Sequence, residues 1–198
     1  MLFRSGRPSP SCASVCGVRD LQAMVGSMMH ESFYRNGTYV NERLGVYVGW
    51  VCHQGSFVDC MPVWNETKDK CLIFYGEDFS AKDVTGKLQQ KGHAFNPHDA
   101  SYLIHLFEEQ GEDWYSALNG FFHGVLIDLA RSEVSLFNDR FGMQRLYYHE
   151  TPTEILFSSE AKALLKVRRE LRSLVPGSLG ELVSMGCVLE DRTLFKDV

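Results

Sequence analysis

The sequence predicts an α+β fold in which two antiparallel β-sheets are stacked and flanked by helices. Two observations carry this expectation. Six short runs, Leu44–Val51, Cys71–Phe74, Phe121–Leu129, Val134–Phe137, Leu146–Tyr148 and Ile155–Phe157, are rich in β-branched and aromatic residues and alternate large apolar with polar positions. The helical stretches interrupt these runs and do not separate them one by one, which argues against a regular βαβ array. At 198 residues and 44% hydrophobic, the chain makes one large domain or two very small ones, with enough apolar side chains for a sizeable core.

In chain order, Leu2-Phe3 reads as the end of a strand, and the Pro- and Ser-rich Arg7–Ser14 as a loop. Asp20–Met29 reads as a helix capped by Asp20, with Leu21, Met24, Val25 and Met28 as a core-facing stripe. His30–Asn41 reads as a polar, aromatic loop, Leu44–Val51 as a strand and Cys52–Pro62 as a second loop. The short buried strand Cys71–Phe74 ends at Tyr75-Gly76-Glu77. Ala81–Lys91 is a predicted helix closed by Gly92, and Asp99 opens another through Gln110, with Leu103, Leu106 and Phe107 on one face. Trp114–Gly120 is a connector, Phe121–Leu129 a strand, and Ala130–Glu133 the turn after it.

The chain is organised around Ser135–Tyr148, SLFNDRFGMQRLYY. Leu136-Phe137 ends a strand, Asn138-Asp139-Arg140-Phe141-Gly142 reverses the chain, and Leu146-Tyr147-Tyr148 starts again. With Ile155-Leu156-Phe157, these runs predict a three-stranded meander. A helix follows, capped by Ser159 and built from Ala161-Lys162-Ala163-Leu164-Leu165. Arg168–Arg172 continues a charged helix face, Glu181–Met185 is a short helix, and Thr193-Leu194-Phe195 begins a further strand.

Composition excludes several functions. A net charge of −5 does not suit a nucleic-acid binder, and the run Lys166–Arg172 reads as a solvated helix face. No apolar run approaches a bilayer span, and the N-terminus lacks the apolar core of a signal peptide, so no membrane partner is expected. Six cysteines in a chain of this length read as reduced thiols, hence a cytoplasmic protein. Cys12 and Cys16 lack a second pair at ligand spacing, and His53, His93, His105 and His123 read as surface or core groups, so no metal site is expected.

DRFG, then LYY, then FSSEAKALL resembles the glutaminase domain of the asparagine synthetases, which are class II glutamine amidotransferases. Their corresponding stretches read DRFGEKPLYY and FASEIKALL, and Met143-Gln144-Arg145 stands here for the Glu-Lys-Pro-like triplet. YGEDF resembles the family's NGEIYN, HDASYLIHLFEEQG its SDTEVILHLYEEWG, and LNGFFHGVLIDLARSEVSLFNDRFG its LDGMFAFALWD…LFLARDRFG. CVLEDRTLF is similar to the stretch ahead of the family's synthetase domain. The resemblance implies an N-terminal-nucleophile hydrolase sandwich across residues 1–198, expected as a piece lacking its first strand and a downstream synthetase domain. That partner domain would carry the ATP and magnesium chemistry. This sequence has neither the family's Ser-Gly-Gly-x-Asp-Ser loop nor a G-x-x-x-x-G-K-[ST] loop, so no cofactor is expected in this chain.

In the family an N-terminal cysteine attacks the glutamine amide, with its own α-amino group as base. The Asn side chain and Gly N–H of NGE form the oxyanion hole. An Arg after the first helix binds the substrate carboxylate, and the Asp of SDTE binds its amino group. Here LFRSGRP resembles the stretch after the family's first strand, so the nucleophile is expected to be missing or upstream. Glu31 in His30-Glu31-Ser32 stands where the family has Arg, with Arg35 as a nearby substitute. Tyr75 replaces the Asn, leaving Gly76 as half an oxyanion hole; Glu77 and Asp99 are the substrate-binding remnants. Asp139, Arg140 and Gly142 are expected to fix a turn and a buried ion pair. Cys16-Gly17-Val18 resembles the family's CGI and would be the nucleophile if a propeptide were removed, though the helix expected at Asp20 leaves no room for the first strand.

Three readings follow. The domain is degenerate and serves a synthetase as a structural or regulatory partner. Alternatively it is a working glutaminase using glutamine, its cysteine upstream or Cys16 after processing. The third is a binding module that has repurposed the cleft around Tyr75 and Asp99.

Overall fold

A computed structural model describes residues 2–3 and 10–198, with side chains from Gly17 onward except 81–83. The expected fold class holds: among the described residues, nine strands form two antiparallel sheets, with helices between them in sequence. The strands are β1 (Leu2–Phe3), β2 (Tyr34–Asn41), β3 (Val46–His53), β4 (Val63–Trp64), β5 (Lys70–Asp78), β6 (Gly120–Asp128), β7 (Glu133–Asn138), β8 (Tyr147–Glu150) and β9 (Ile155–Ser158). The helices are α1 (Pro10–Met28), α2 (Ala81–Gln90), α3 (Tyr102–Gln110), α4 (Trp114–Ala117), α5 (Ala161–Val167) and α6 (Pro176–Met185). One sheet runs β2-β3-β1-β9-β8 and the other β4-β5-β6-β7. Two units result, one of Met1–His30, Thr38–Gly49 and Tyr147–Val198, the other of Glu31–Gly37 and Trp50–Leu146.

In the first unit Leu2-Phe3 is an inner strand, pairing antiparallel with both β3 and β9. Helix α1 packs along α5, burying Leu21, Met24 and Val25, and the sheet contributes Val46, Tyr47, Val48, Leu156 and Phe157 to the buried set. The α1 expectation needs correction. The helix begins at Pro10, so residues 10–14 are not loop and Asp20 is interior, not a cap. Proline suits a first helical turn because its missing N–H would have no partner there. Residues 4–9 lie outside the description.

In the second unit β5 and β6 pair in full from Lys70↔Asp128 to Asp78↔Gly120. Their runs Cys71-Leu72-Ile73-Phe74 and Val125-Leu126-Ile127 are buried on both faces, as suits central strands. One face joins Val58, Met61, Val63, Tyr102, Leu103, Leu106 and Trp114 in a continuous core. Trp114 sits edge-on to Phe107 and Phe137, with centroids 5.6 and 5.1 Å away, which makes the expected connector a one-turn helix anchored in that core.

Other sequence expectations shift for local reasons. The His30–Asn41 loop contains the edge strand β2; its sparse apolar residues suit a strand with little buried surface. The predicted meander is split: β7 belongs to one sheet, β8 and β9 to the other, so DRFG is a passage between sheets. Helix α5 has Glu160, not Ser159, at its N-cap, with Ser158 Oγ accepting the Glu160 N–H at 3.2 Å. Thr193–Phe195 makes only a single bridge, Leu174 to Phe195. No described helix is long and apolar enough to cross a membrane.

Candidate active site

The end of β5 positions Tyr75-Gly76-Glu77. Gly76 has φ +113°, and a Cβ there would stand 2.0 Å from the Phe121 carbonyl oxygen, so backbone torsion and the facing strand both require glycine. Tyr75 is 41% exposed and its ring stacks on His123 across the ladder, centroids 5.1 Å apart. Glu77 is exposed. Asp78, which the sequence reading passed over, anchors the whole turn. Its buried carboxylate accepts the Tyr102 hydroxyl at 2.6 Å, the Asn119 N–H at 2.9 Å and the Ser80 hydroxyl. Burial first, then the Asp78 hydrogen bond, pushes the Tyr102 phenol well above its ordinary range.

Asp99 is half-buried ahead of α3. Oδ1 accepts the Ser101 N–H at 2.9 Å and Oδ2 accepts from the Asn96 side chain at 2.7 Å, while Ser101 is the N-cap residue. The carboxylate faces Cys60, whose thiol is pushed up to about 12 by burial and then by the Asp99 charge. Burial also raises Cys71 to about 12 and raises Cys52. These thiols stay protonated at neutral pH and are not nucleophiles. The Cys16 side chain lies outside the described residues.

Glu31 is exposed at the entry to β2. Arg35 is turned toward Asp59 at 3.4 Å. Asp59 also accepts the Gly55 N–H at 2.7 Å, so Arg35 closes a structural turn. His30 pairs instead with Glu160 at 2.8 Å and Lys162 at 3.0 Å.

The DRFG turn corrects another expectation. Asp139 is buried, but its partners are backbone N–H groups: Phe141 at 3.0 Å, Met143 and Gln144 at 2.9 Å, and Phe122 at 3.4 Å. Burial raises the Asp139 pKa, and these donors outweigh it to give a net lowering. Arg140 is exposed and makes no ion pair among the described residues, so no buried Asp139–Arg140 pair forms. Gly142 has φ +61°, a left-handed residue that lets the chain fold back over Asp139.

The histidines expected as separate groups are partly neighbours. His93 and His105 lie with ring centroids 5.1 Å apart, and Glu66 and Glu108 face them. Sequence spacing hides this set, because Glu66 comes from the β4–β5 turn, His93 from the α2–α3 connection, and His105 and Glu108 from α3.

Comparison with known proteins fixes what this frame is. A family model described as a glutamine amidotransferase domain matches residues 19–198. The chain belongs to this glutamine amidotransferase family. It is 30% identical over 122 residues to asparagine synthetase [glutamine-hydrolyzing] 2 of Bacillus subtilis (strain 168), covering 59% of this chain and 16% of that protein. It is 32% identical over 120 residues to asparagine synthetase [glutamine-hydrolyzing] 2 of Arabidopsis thaliana, covering 60% of this chain and 20% of that one. The matches thus take in a fifth or less of these relatives' length. Among solved structures, the glutamine phosphoribosylpyrophosphate amidotransferase from B. subtilis, complexed with ADP and GMP, superposes with a TM-score of 0.58 at 14% identity, covering 84% of this chain and 43% of that one. At that identity the likeness speaks for the shared fold alone.

Proposed function

We propose that this glutamine amidotransferase domain does not hydrolyse glutamine and acts as the structural or regulatory domain of an asparagine-synthetase-like protein in the cytoplasm. The observation that carries the reading is Tyr75 in the place of the family's oxyanion Asn, with its ring laid on His123. The short carboxamide is thereby exchanged for a longer phenol whose ring lies on His123, and losing one oxyanion donor from its place costs on the order of 100- to 1,000-fold in rate. Glu31 in place of the carboxylate-binding Arg adds like-charge repulsion. Asp139 and Gly142 keep the turn, and Gly76 keeps the strand end, without a complete set of reacting groups. Nitrogen for amide formation would then come from free ammonia or another donor. ATP and magnesium would belong to a synthetase domain; this sequence has no Ser-Gly-Gly-x-Asp-Ser loop to fit them. The protonated, unpaired thiols of Cys52, Cys60 and Cys71 support a reducing compartment.

The test is glutamate release from glutamine by the purified chain, with Cys16→Ala in parallel. Release at the no-enzyme background is expected for both. Turnover lost in Cys16→Ala would overturn the reading and make Cys16 a processed nucleophile. Turnover unchanged by it would overturn the reading in favour of another nucleophile.

A further inference from the structure

We propose that Glu66, His93, His105 and Glu108 form a closed Zn2+ site that ties the β4–β5 turn to the α2–α3 connection and to α3. The four ligand atoms lie within 4.8 Å of one another. His105 Nδ1 is 3.3 Å from Glu66 Oε2 and 3.4 Å from Glu108 Oε2, and His93 Nδ1 is 3.5 Å from Glu66 Oε1. A tetrahedron with zinc–ligand bonds of about 2.0–2.1 Å has edges of about 3.3 Å, so the two contacts of His105 Nδ1 are spaced as neighbouring ligands, and Glu66 would bring one of its two oxygens to the metal. They are long for charge-assisted hydrogen bonds, which run at about 2.7–2.9 Å.

The His105 side chain is 4% exposed, and its Nδ1, aimed into the cluster, has no hydrogen-bond partner. A buried imidazole nitrogen facing two carboxylates without a bond to either is costly unless a cation sits among them. The outer groups are those that orient ligands. His93 Nε2 pairs with Glu109 Oε1 at 3.0 Å, which fixes the proton there and turns the Nδ1 lone pair toward the cluster. Glu109 is itself paired with Lys91. Asn65 donates to Glu108 Oε1 at 2.7 Å, leaving Oε2 for the cluster. Phe95 stacks on the His105 ring, centroids 5.6 Å apart, and holds its orientation. Two carboxylates and two neutral imidazoles balance a divalent charge, and nitrogen–oxygen donors at tetrahedral spacing suit zinc. Four protein ligands leave no open position for water, so the site is structural.

The experiment uses the whole chain, stripped with a chelator and checked for native circular dichroism, then titrated with Zn2+ against a chromophoric competitor and separately with Co2+. One Zn2+ per chain and a raised Tm are expected. Co2+ should show tetrahedral d–d bands without thiolate charge transfer. Glu66→Gln, at a half-exposed position, and His93→Gln, checked for native circular dichroism, should abolish binding, and Glu109→Gln should weaken it about 10- to 100-fold. Absence of binding to the folded chain would overturn the proposal. So would affinity left within twofold by both ligand variants, or a thiolate charge-transfer band placing the metal on cysteine.

Discussion

His123 is a neutral imidazole held inside β6. Burial pushes its pKa down to about 4, against the opposing pull of the Asp139 charge and of the nearby Gln144 backbone. Its ring is stacked on Tyr75, and Nδ1 is buried without a hydrogen-bond partner. In the unfolded chain the same group titrates near its ordinary value of about 6.5. Between the two values the unfolded state binds more protons, so stability is fully present above about 6.5 and drains away as pH falls toward 4. The swing amounts to about 3 kcal/mol, from roughly 1.4 kcal/mol per pKa unit. Asp139 shifts the opposite way from a buried acid without partners: its lowered pKa keeps its contribution present above about 3.9, and it is lost only below that. The two windows therefore separate. Urea unfolding of wild type and His123→Phe, measured from pH 7 to 4, should show the wild type losing stability relative to the variant as pH falls, because Phe keeps the stack but not the titration. Parallel curves would show that His123 is not the group responsible.

At the scale of elements, Arg168 clamps the first unit. It follows α5, and its guanidinium reaches Asp20 on α1 at 2.9 Å and Glu154 ahead of β9 at 2.8 and 3.1 Å. The three side chains are 17%, 23% and 13% exposed, so the arrangement lies between a surface pair and a buried one. Surface pairs are worth about 0–1 kcal/mol, whereas removing one partner of a buried pair costs about 3–5 kcal/mol. Arg168→Met should then cost about 1–3 kcal/mol in urea unfolding. Arg168→Lys should recover less than half of that, since an ammonium cannot fork between two carboxylates. Neutralising both partners in the Arg168→Met background, with Asp20→Asn and Glu154→Gln, should restore most of the loss. An Arg168→Met midpoint equal to wild type would reduce the clamp to a surface contact. The charged helix face read for Arg168–Arg172 is thus partly an interior device, with Leu171 buried beside it.

For the whole molecule, the proposed loss of glutaminase activity rests on positions in distant stretches, Glu31 before β2 and Tyr75 at the end of β5. Groups that act together in one reaction are not rescued singly. Tyr75→Asn alone, Glu31→Arg alone and the double variant should all leave glutamate release at background. Tenfold or greater turnover in the double variant over either single would show that only these two groups are wanting. Arg35 offers no shortcut, because Asp59 already holds it.

The sequence by itself determined the antiparallel α+β class and the family, because alternation along β6 and β7 and the DRFG–LYY–FSSEAKALL spacing are local signals. It also raised Glu31 and Tyr75 as departures from the family pattern, since such positions are read one residue at a time. Boundaries moved where the local signal was weak. Edge strand β2 has few apolar residues to mark it, and the N-terminal half of α1 is masked by Pro and Ser. Only the tertiary structure decided what each charged side chain pairs with. Asp139 turned out to be satisfied by backbone amides, Arg35 by Asp59, and the Tyr75 turn by Asp78. The same holds for Glu66, His93, His105 and Glu108, which three separate segments bring to one point. Hydrogen bonds, ion pairs and metal ligation act over a few ångströms in space, and the folded chain sets those distances independently of separation along the sequence.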